Sequence, residues 1–180
     1  MADLVREDDL DDESYQIREV LAQYGAAMYQ AQVLESGLIN VLAIAEGNGI
    51  PNATVRDFDA VIDAASRKTM GALLRKLQPH LGSDTELVED LQAGLRLRNR
   101  LAHSFFGEYS VGFTRPEGRE SMLVELHIAI ERFEGLDRRL DPVLGRYLDA
   151  RGIDEAGRSE LLAAAQTELI RRYEEEERGQ

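Results

Sequence analysis

The feature that most constrains the fold is an apolar stripe near the N-terminus that repeats every seven residues. A repeat of this period, held over about four heptads, predicts a long amphipathic helix that packs lengthwise against neighbouring helices. The predicted helix runs from Asp12 to Glu46, because glycine, asparagine and proline between positions 47 and 52 break the pattern. The repeating residues are Ile17, Tyr24, Ala31, Leu38 and Ala45.

Four further segments carry helical periodicity. They are predicted over 57–78, 85–106 and 119–148, with a fifth helix capped by Asp154. Between them, alternation at Tyr109, Val111 and Phe113 predicts a short extended piece. Long helices joined by short connections favour an all-α antiparallel bundle of four to five helices. The predicted organisation is an acidic N-terminal tail over 1–14, the bundle over 15–150, and a C-terminal helix over 151–180 that packs on the bundle and has an acidic, frayed end.

Composition narrows the classes of function. The net charge of −13 argues against a general nucleic-acid binder, and the absence of cysteine excludes disulfides and thiolate metal sites. No apolar run reaches the ~20 residues that a membrane span needs, and the N-terminus is acidic rather than signal-like, so we expect a cytoplasmic protein without membrane contact. No phosphate-binding glycine loop occurs, and no histidine has metal-ligand spacing. We therefore expect neither a metal nor a cofactor.

The charge is uneven along the chain. No acidic residue occurs over 91–107, where Arg96, Arg98 and Arg100 all lie. A local basic patch can therefore exist on this acidic protein. In the predicted third helix, Arg98 continues the apolar line of Leu91 and Leu95, where a leucine would be expected.

The stretch Arg98-Asn99-Arg100-Leu101-Ala102-His103 resembles the signature of the HEPN superfamily, an arginine followed by a polar residue and then a histidine near the end of a bundle helix. The resemblance covers 15–148 in architecture and is specific over about nine residues. It implies a HEPN-like fold and a metal-independent ribonuclease, often a toxin or defence effector. It also implies a homodimer with a composite cleft, RNA as substrate, and a separate antitoxin or regulatory protein. A tyrosine that is often modified in one HEPN branch is replaced here by Phe105.

The chemistry implied by this resemblance is physically sensible. Histidine can move a proton near neutral pH, and arginine can stabilise a pentavalent phosphate through forked hydrogen bonds. At about 100° per residue, Asn99 and His103 share one helix face, whereas Arg98 lies about 140° from His103. Arg98 must therefore reach around the helix, or a second subunit must complete the site.

Other interpretations remain open for the same residues. Arg98 can snorkel at the bundle edge or pair with a carboxylate such as Glu35, and His103 can simply favour a helix C-terminus. Phe105 and Phe106 fit core positions better than base-stacking platforms. The candidate catalytic residues are Arg98, Asn99 and His103, and the candidate substrate-binding residues are Arg96, Arg100 and Glu35. The predicted function is a HEPN-like endoribonuclease of a toxin or stress system; the alternative is a non-catalytic HEPN-fold dimer that binds a protein, a nucleotide or RNA.

Overall fold

The computed structural model describes residues 11–47, 55–82 and 84–154, together with positions 156, 157, 159 and 175. Every regular element in these residues is helical, which confirms the predicted all-α bundle. The helices are α1 Asp12–Gly47, α2 Val55–Ser66, α3 Met70–Leu77, α4 Thr85–His103, α5 Phe105–Glu108 and α6 Pro116–Asp149. Short 3₁₀ turns follow α3 and α5, at Gln78–His80 and Gly112–Thr114.

The two longest helices, α1 and α6, form the centre of the bundle. They run in the same direction, because Gln30 donates a hydrogen bond to Glu134 (3.2 Å) while Arg119 reaches back to Gln16 (2.9 Å). Helix α4 runs antiparallel to α6, and its Asp90 accepts from Arg139 (2.5 Å). The buried leucines of α1 and the buried face of α6 meet between these helices. Helix α6 continues through Pro142 to Asp149.

The predicted second helix is in fact two helices, so the prediction of one continuous segment was wrong. The chain leaves the helical conformation after Ser66 and restarts at Met70. Thr69 has an extended backbone and its hydroxyl accepts from the Ala72 amide (3.4 Å), which makes it the N-cap of α3. The break turns residues 66–69 towards α4.

The apolar face of α4 is rotated slightly from the predicted one. Gly94 and Leu101 are buried, whereas Leu95 and Arg98 lie at the edge of the core. A Cβ at Gly94 would come within 2.6 Å of Leu136, so the helices approach too closely there for a side chain. Because of this rotation Arg98 faces a cleft instead of the core.

Helix α4 is shorter than predicted, and the expected extended piece is absent. The helix ends at His103, Ser104 interrupts it, and α5 follows. Residues 109–111 form a turn that leads into the 3₁₀ turn. The buried Arg119 of α6 holds this region by donating to the Phe113 carbonyl (3.1 Å). The backbone amides of residues 113–115 donate to carbonyls three or four residues earlier, so this segment is a turn and not a strand.

Most of the predicted acidic tail and of the predicted C-terminal helix lie outside the described residues. At the start of that helix, the Asp154 carboxylate accepts from the Gly157 amide (2.9 Å), as expected for an N-cap. Within the part of the chain that the structure describes, no helix has both the length and the hydrophobicity of a transmembrane span.

Candidate functional site

The motif residues occupy the last two turns of α4. Asp84 starts this helix by accepting from the Leu87 amide (2.9 Å), and the helix then continues without interruption to His103. Arg98 is partly buried, while Asn99 and His103 are exposed. Neither the arginine nor the histidine is therefore sealed in the core, so both can meet a ligand.

A cleft of about 560 Å³ opens beside these residues. Helix α4 contributes Arg98, Asn99 and His103, and α1 contributes Glu35 from the facing side. The α2–α3 connection over 66–69 and the start of α3 form the third wall. The structure therefore brings the three motif residues and Glu35 into one space within a single chain.

Arg98 lines the same cleft as His103, although the two residues are offset around the helix. The Arg98 guanidinium donates to the Asn99 side-chain oxygen (3.3 Å). Asn99 lies one turn before His103, so it connects the arginine to the histidine side of the helix.

The cleft is strongly cationic for so acidic a protein. Arg67 and Lys68 of the α2–α3 connection join Arg98 there, against the single carboxylate of Glu35. None of these three cations forms an ion pair with a carboxylate of the described residues, Glu35 included. The postulated pairing of Arg98 with Glu35 is therefore not present. Three cations that have no acidic partner among the described residues suit an anionic ligand with several oxygens.

Residues 66–69 were missed by the sequence analysis. The stretch Ser66-Arg67-Lys68-Thr69 has hydroxyl residues at both ends, and these are common at helix ends because their side chains satisfy free backbone groups. Ser66 indeed donates to the Ile62 carbonyl (2.8 Å). This pattern could have indicated the break, but it could not have shown that the break lies against α4.

Arg100, a candidate substrate-binding residue, lies outside the cleft. Its guanidinium pairs with Glu108 (2.6 Å) and with Glu125, and the Tyr109 hydroxyl donates to Glu125 (2.9 Å). This network ties α4 to α5 and α6. Arg96 is exposed and does not line the cleft, but it lies on the stripe of Asn99 and His103, three and seven residues before them.

The aromatic residues after the motif belong to the core, as the sequence analysis favoured. Phe105 is buried, and its ring packs near Phe106 (5.4 Å between centroids) and Tyr109 (5.2 Å). Tyr24 of α1 contacts both phenylalanines and donates to the Leu101 carbonyl (3.2 Å). This cluster holds the end of α4 against α1.

The other histidines lie away from the cleft. His127 is exposed and within 3.4 Å of Glu131, while His80 packs edge-on against Tyr147. In the described ranges, no three histidine, aspartate or glutamate side chains are grouped so as to hold a metal ion.

Comparison with known protein families, with curated proteins and with solved structures finds no match for this chain. The case for a function therefore depends on the chemistry of the cleft formed by Arg98, Asn99, His103, Glu35 and residues 66–69.

Proposed function

We propose that the protein binds RNA in this cleft and cleaves it as a HEPN-like, metal-independent endoribonuclease. The observation that carries the proposal is the convergence of Arg98, Asn99 and His103 with the cations of Arg67 and Lys68 in one open space. Phosphodiesters are the anions that arginine recognises best through paired N–H donors, and histidine is the side chain best suited to proton transfer near neutral pH.

The proposed reaction uses the RNA's own nucleophile. The ribose 2′-oxygen attacks the adjacent phosphorus, and the bond from phosphorus to the 5′-oxygen breaks. The 2′-hydroxyl loses its proton and the leaving 5′-oxygen gains one. His103 carries one of these two proton transfers, and water carries the other. The products are a 2′,3′-cyclic phosphate and a 5′-hydroxyl.

The remaining cleft residues bind and orient the substrate. Arg98 donates to the phosphate oxygens as charge develops on them, and Asn99 positions the Arg98 side chain by accepting its hydrogen bond. Arg67 and Lys68 bind neighbouring phosphates. Glu35 accepts a hydrogen bond from a ribose hydroxyl, which favours RNA over DNA.

The biological setting belongs to the same proposal. The HEPN resemblance suggests a cytoplasmic toxin or stress effector that acts as a homodimer and is restrained by a separate antitoxin or regulator. The acidic surface implied by the net charge of −13 would limit non-specific contact with RNA outside the cleft.

The test is cleavage of a mixed RNA pool by the purified protein in the presence of EDTA. We expect fragments with cyclic phosphate ends, and a loss of at least about 100-fold in rate for His103→Ala, the scale of a general acid or base. His127→Ala is the matched control, because His127 is equally exposed but lies on α6, away from the cleft. Equal rates for wild type and His103→Ala would reject His103 as the catalytic residue.

The non-catalytic alternative has support from the overall acidity of the chain. A HEPN-fold module that binds RNA, a nucleotide or a protein through the same cleft needs Arg98 but no proton transfer. RNA binding without cleavage, lost in Arg98→Ala and retained in His103→Ala, would favour this alternative.

A further inference from the structure

A second cavity adjoins the cationic cleft. It has a volume of about 190 Å³ and lies between α3 and α4. Gly71 and Leu95 line both this cavity and the cleft, so the two spaces meet at these residues. At Gly71 an added Cβ would already lie in contact with Leu95, at 3.4 Å, so the absence of a side chain keeps this junction open.

The lining of the cavity has two chemical parts. Leu74, Leu81 and Leu91 form a buried apolar floor. The polar rim carries Gln78, Gln92 and Arg75, all exposed, and neither glutamine amide forms a hydrogen bond to the described residues. This lining suits a flat ring with a polar edge. The face of the ring would pack on the apolar floor, and its edge would hydrogen-bond to the glutamine amides, which both donate and accept.

The cavity and the cleft lie along one stripe of α4. Gln92, Arg96, Asn99 and His103 follow one another on α4 in steps of four, three and four, which places them on one stripe. Gln92 and Asn99 are about 10 Å apart along the helix axis. Arg96 lies between them on this stripe and is exposed.

We propose that this cavity is a subsite for one nucleobase of the RNA whose phosphate lies in the cationic cleft. The inference rests on the proposed function and adds a source of base selectivity to it. The base would stack on the leucine floor while its edge hydrogen-bonds to Gln78 and Gln92. Pockets for drug-sized ligands usually have volumes of ~300 Å³ or more, and this cavity is smaller. Its volume therefore fits one ring system rather than a whole drug-sized ligand.

The experiment measures binding of labelled 2′-O-methyl hexanucleotides, which resist attack by the 2′-oxygen. Oligomers of each single base are compared with an abasic hexamer of equal length and charge. For wild type we expect at least one base to bind about tenfold more tightly than the abasic oligomer.

Two substitutions at Val88, which lines the cavity but not the cleft, change its volume in opposite directions. Val88→Phe fills the space, and we expect the base-to-abasic ratio to fall to less than about threefold with abasic affinity unchanged. Val88→Ala enlarges the space and should keep the ratio. Gln92 is exposed, so Gln92→Ala should not disturb the fold. We expect this variant to lower the base-to-abasic affinity ratio for the preferred base alone.

Each other result overturns the inference. A wild-type ratio near one, with firm binding of all oligomers, rejects the base subsite and leaves the proposed function standing. If Val88→Phe and Gln92→Ala leave the base-to-abasic affinity ratio unchanged, the bases bind outside this cavity. If wild type binds none of the oligomers, the subsite is rejected. The proposed function is then decided by the RNA cleavage assay, because a 2′-O-methyl ribose cannot donate the hydrogen bond assigned to Glu35.

Discussion

The Arg98 guanidinium donates a hydrogen bond to the side-chain oxygen of its neighbour Asn99, at 3.3 Å. This contact joins the arginine to a residue that lies one helical turn before His103. Asn99 is exposed and therefore contributes little to the core, so its substitutions report on the cleft rather than on folding.

Replacing Asn99 by aspartate should convert this contact into an ion pair and add one negative charge to the cleft. We expect Asn99→Asp to weaken RNA binding by about tenfold, with a change in unfolding free energy within about 0.5 kcal/mol. The matched change is Glu35→Gln, which removes the one acid of the cleft and should keep or increase affinity. Fluorescence anisotropy with a labelled RNA measures both, and equal effects of the two variants would contradict the assigned electrostatics.

Lys68 should contribute one phosphate contact. For Lys68→Ala we expect weaker binding and a salt dependence whose slope, log Kd against log salt, is smaller by about 0.7, the value for one contact to a single strand. Lys76→Ala is the control, because the Lys76 ammonium already pairs with Glu46 at 2.5 Å. Titrations at several salt concentrations give the slopes; an unchanged slope for Lys68→Ala would place the phosphates elsewhere.

Arg100 should stabilise the fold rather than bind RNA. Its pairing with Glu108 and Glu125 predicts that Arg100→Met lowers the unfolding free energy by about 1 kcal/mol, or about 2–4 °C in Tm. RNA affinity should stay within about twofold, less than 0.5 kcal/mol. Thermal melts of Arg100→Met, Glu125→Gln and the double variant give the coupling energy. Additive effects would show that the pair contributes nothing.

Gly118 and Gly135 of α6 should respond oppositely to alanine. A Cβ at Gly118 would collide with the backbone of Gly112, whereas nothing lies within 4 Å of a Cβ at Gly135. We expect Gly118→Ala to destabilise by at least about 2 kcal/mol, since backbone must move. Gly135→Ala should stabilise by up to about 1 kcal/mol through helix propensity. Chemical denaturation of both variants tests this, and a stable Gly118→Ala protein would contradict the close approach of the 3₁₀ turn to α6.

Asp137 should make stability fall as the pH rises. Burial raises the pKa of this carboxyl above its ordinary 3.8, and the nearby Asp141 raises the pKa further, against a smaller lowering by Arg138. The folded state therefore keeps the proton longer than the unfolded state, and stability is lost between the ordinary and the raised pKa.

Asp137→Asn should remove this loss of stability at rising pH. We expect the variant to be more stable than wild type at pH 7, by less than about 3 °C in Tm, with the advantage vanishing near pH 3. Melts across this range are the measurement. Asp141→Asn should show a smaller gain, because Asp141 is exposed. An equal or larger gain for Asp141→Asn would contradict burial as the main cause.

The sequence alone determined the long helices α1 and α6 and the candidate motif. The seven-residue repeat predicts α1 from local geometry alone, because the position of a residue in the sequence sets its angle around the helix axis. The same reasoning placed Asn99 and His103 on one face of α4. It also identified the acid-free stretch around the three arginines, because charge and spacing can be read directly from the chain.

Only the tertiary structure decided what surrounds the motif. Whether Arg98 enters the core depended on how closely α4 approaches α6 at Gly94 and Leu136, a distance that no local pattern encodes. The cations of residues 67–68 reach the cleft because α3 packs against α4, and Arg100 is removed from it by carboxylates 8 and 25 residues along the chain. Contacts between distant residues depend on the summed packing of all helices, so periodicity and charge could supply the residues of the motif but not the residues that surround it.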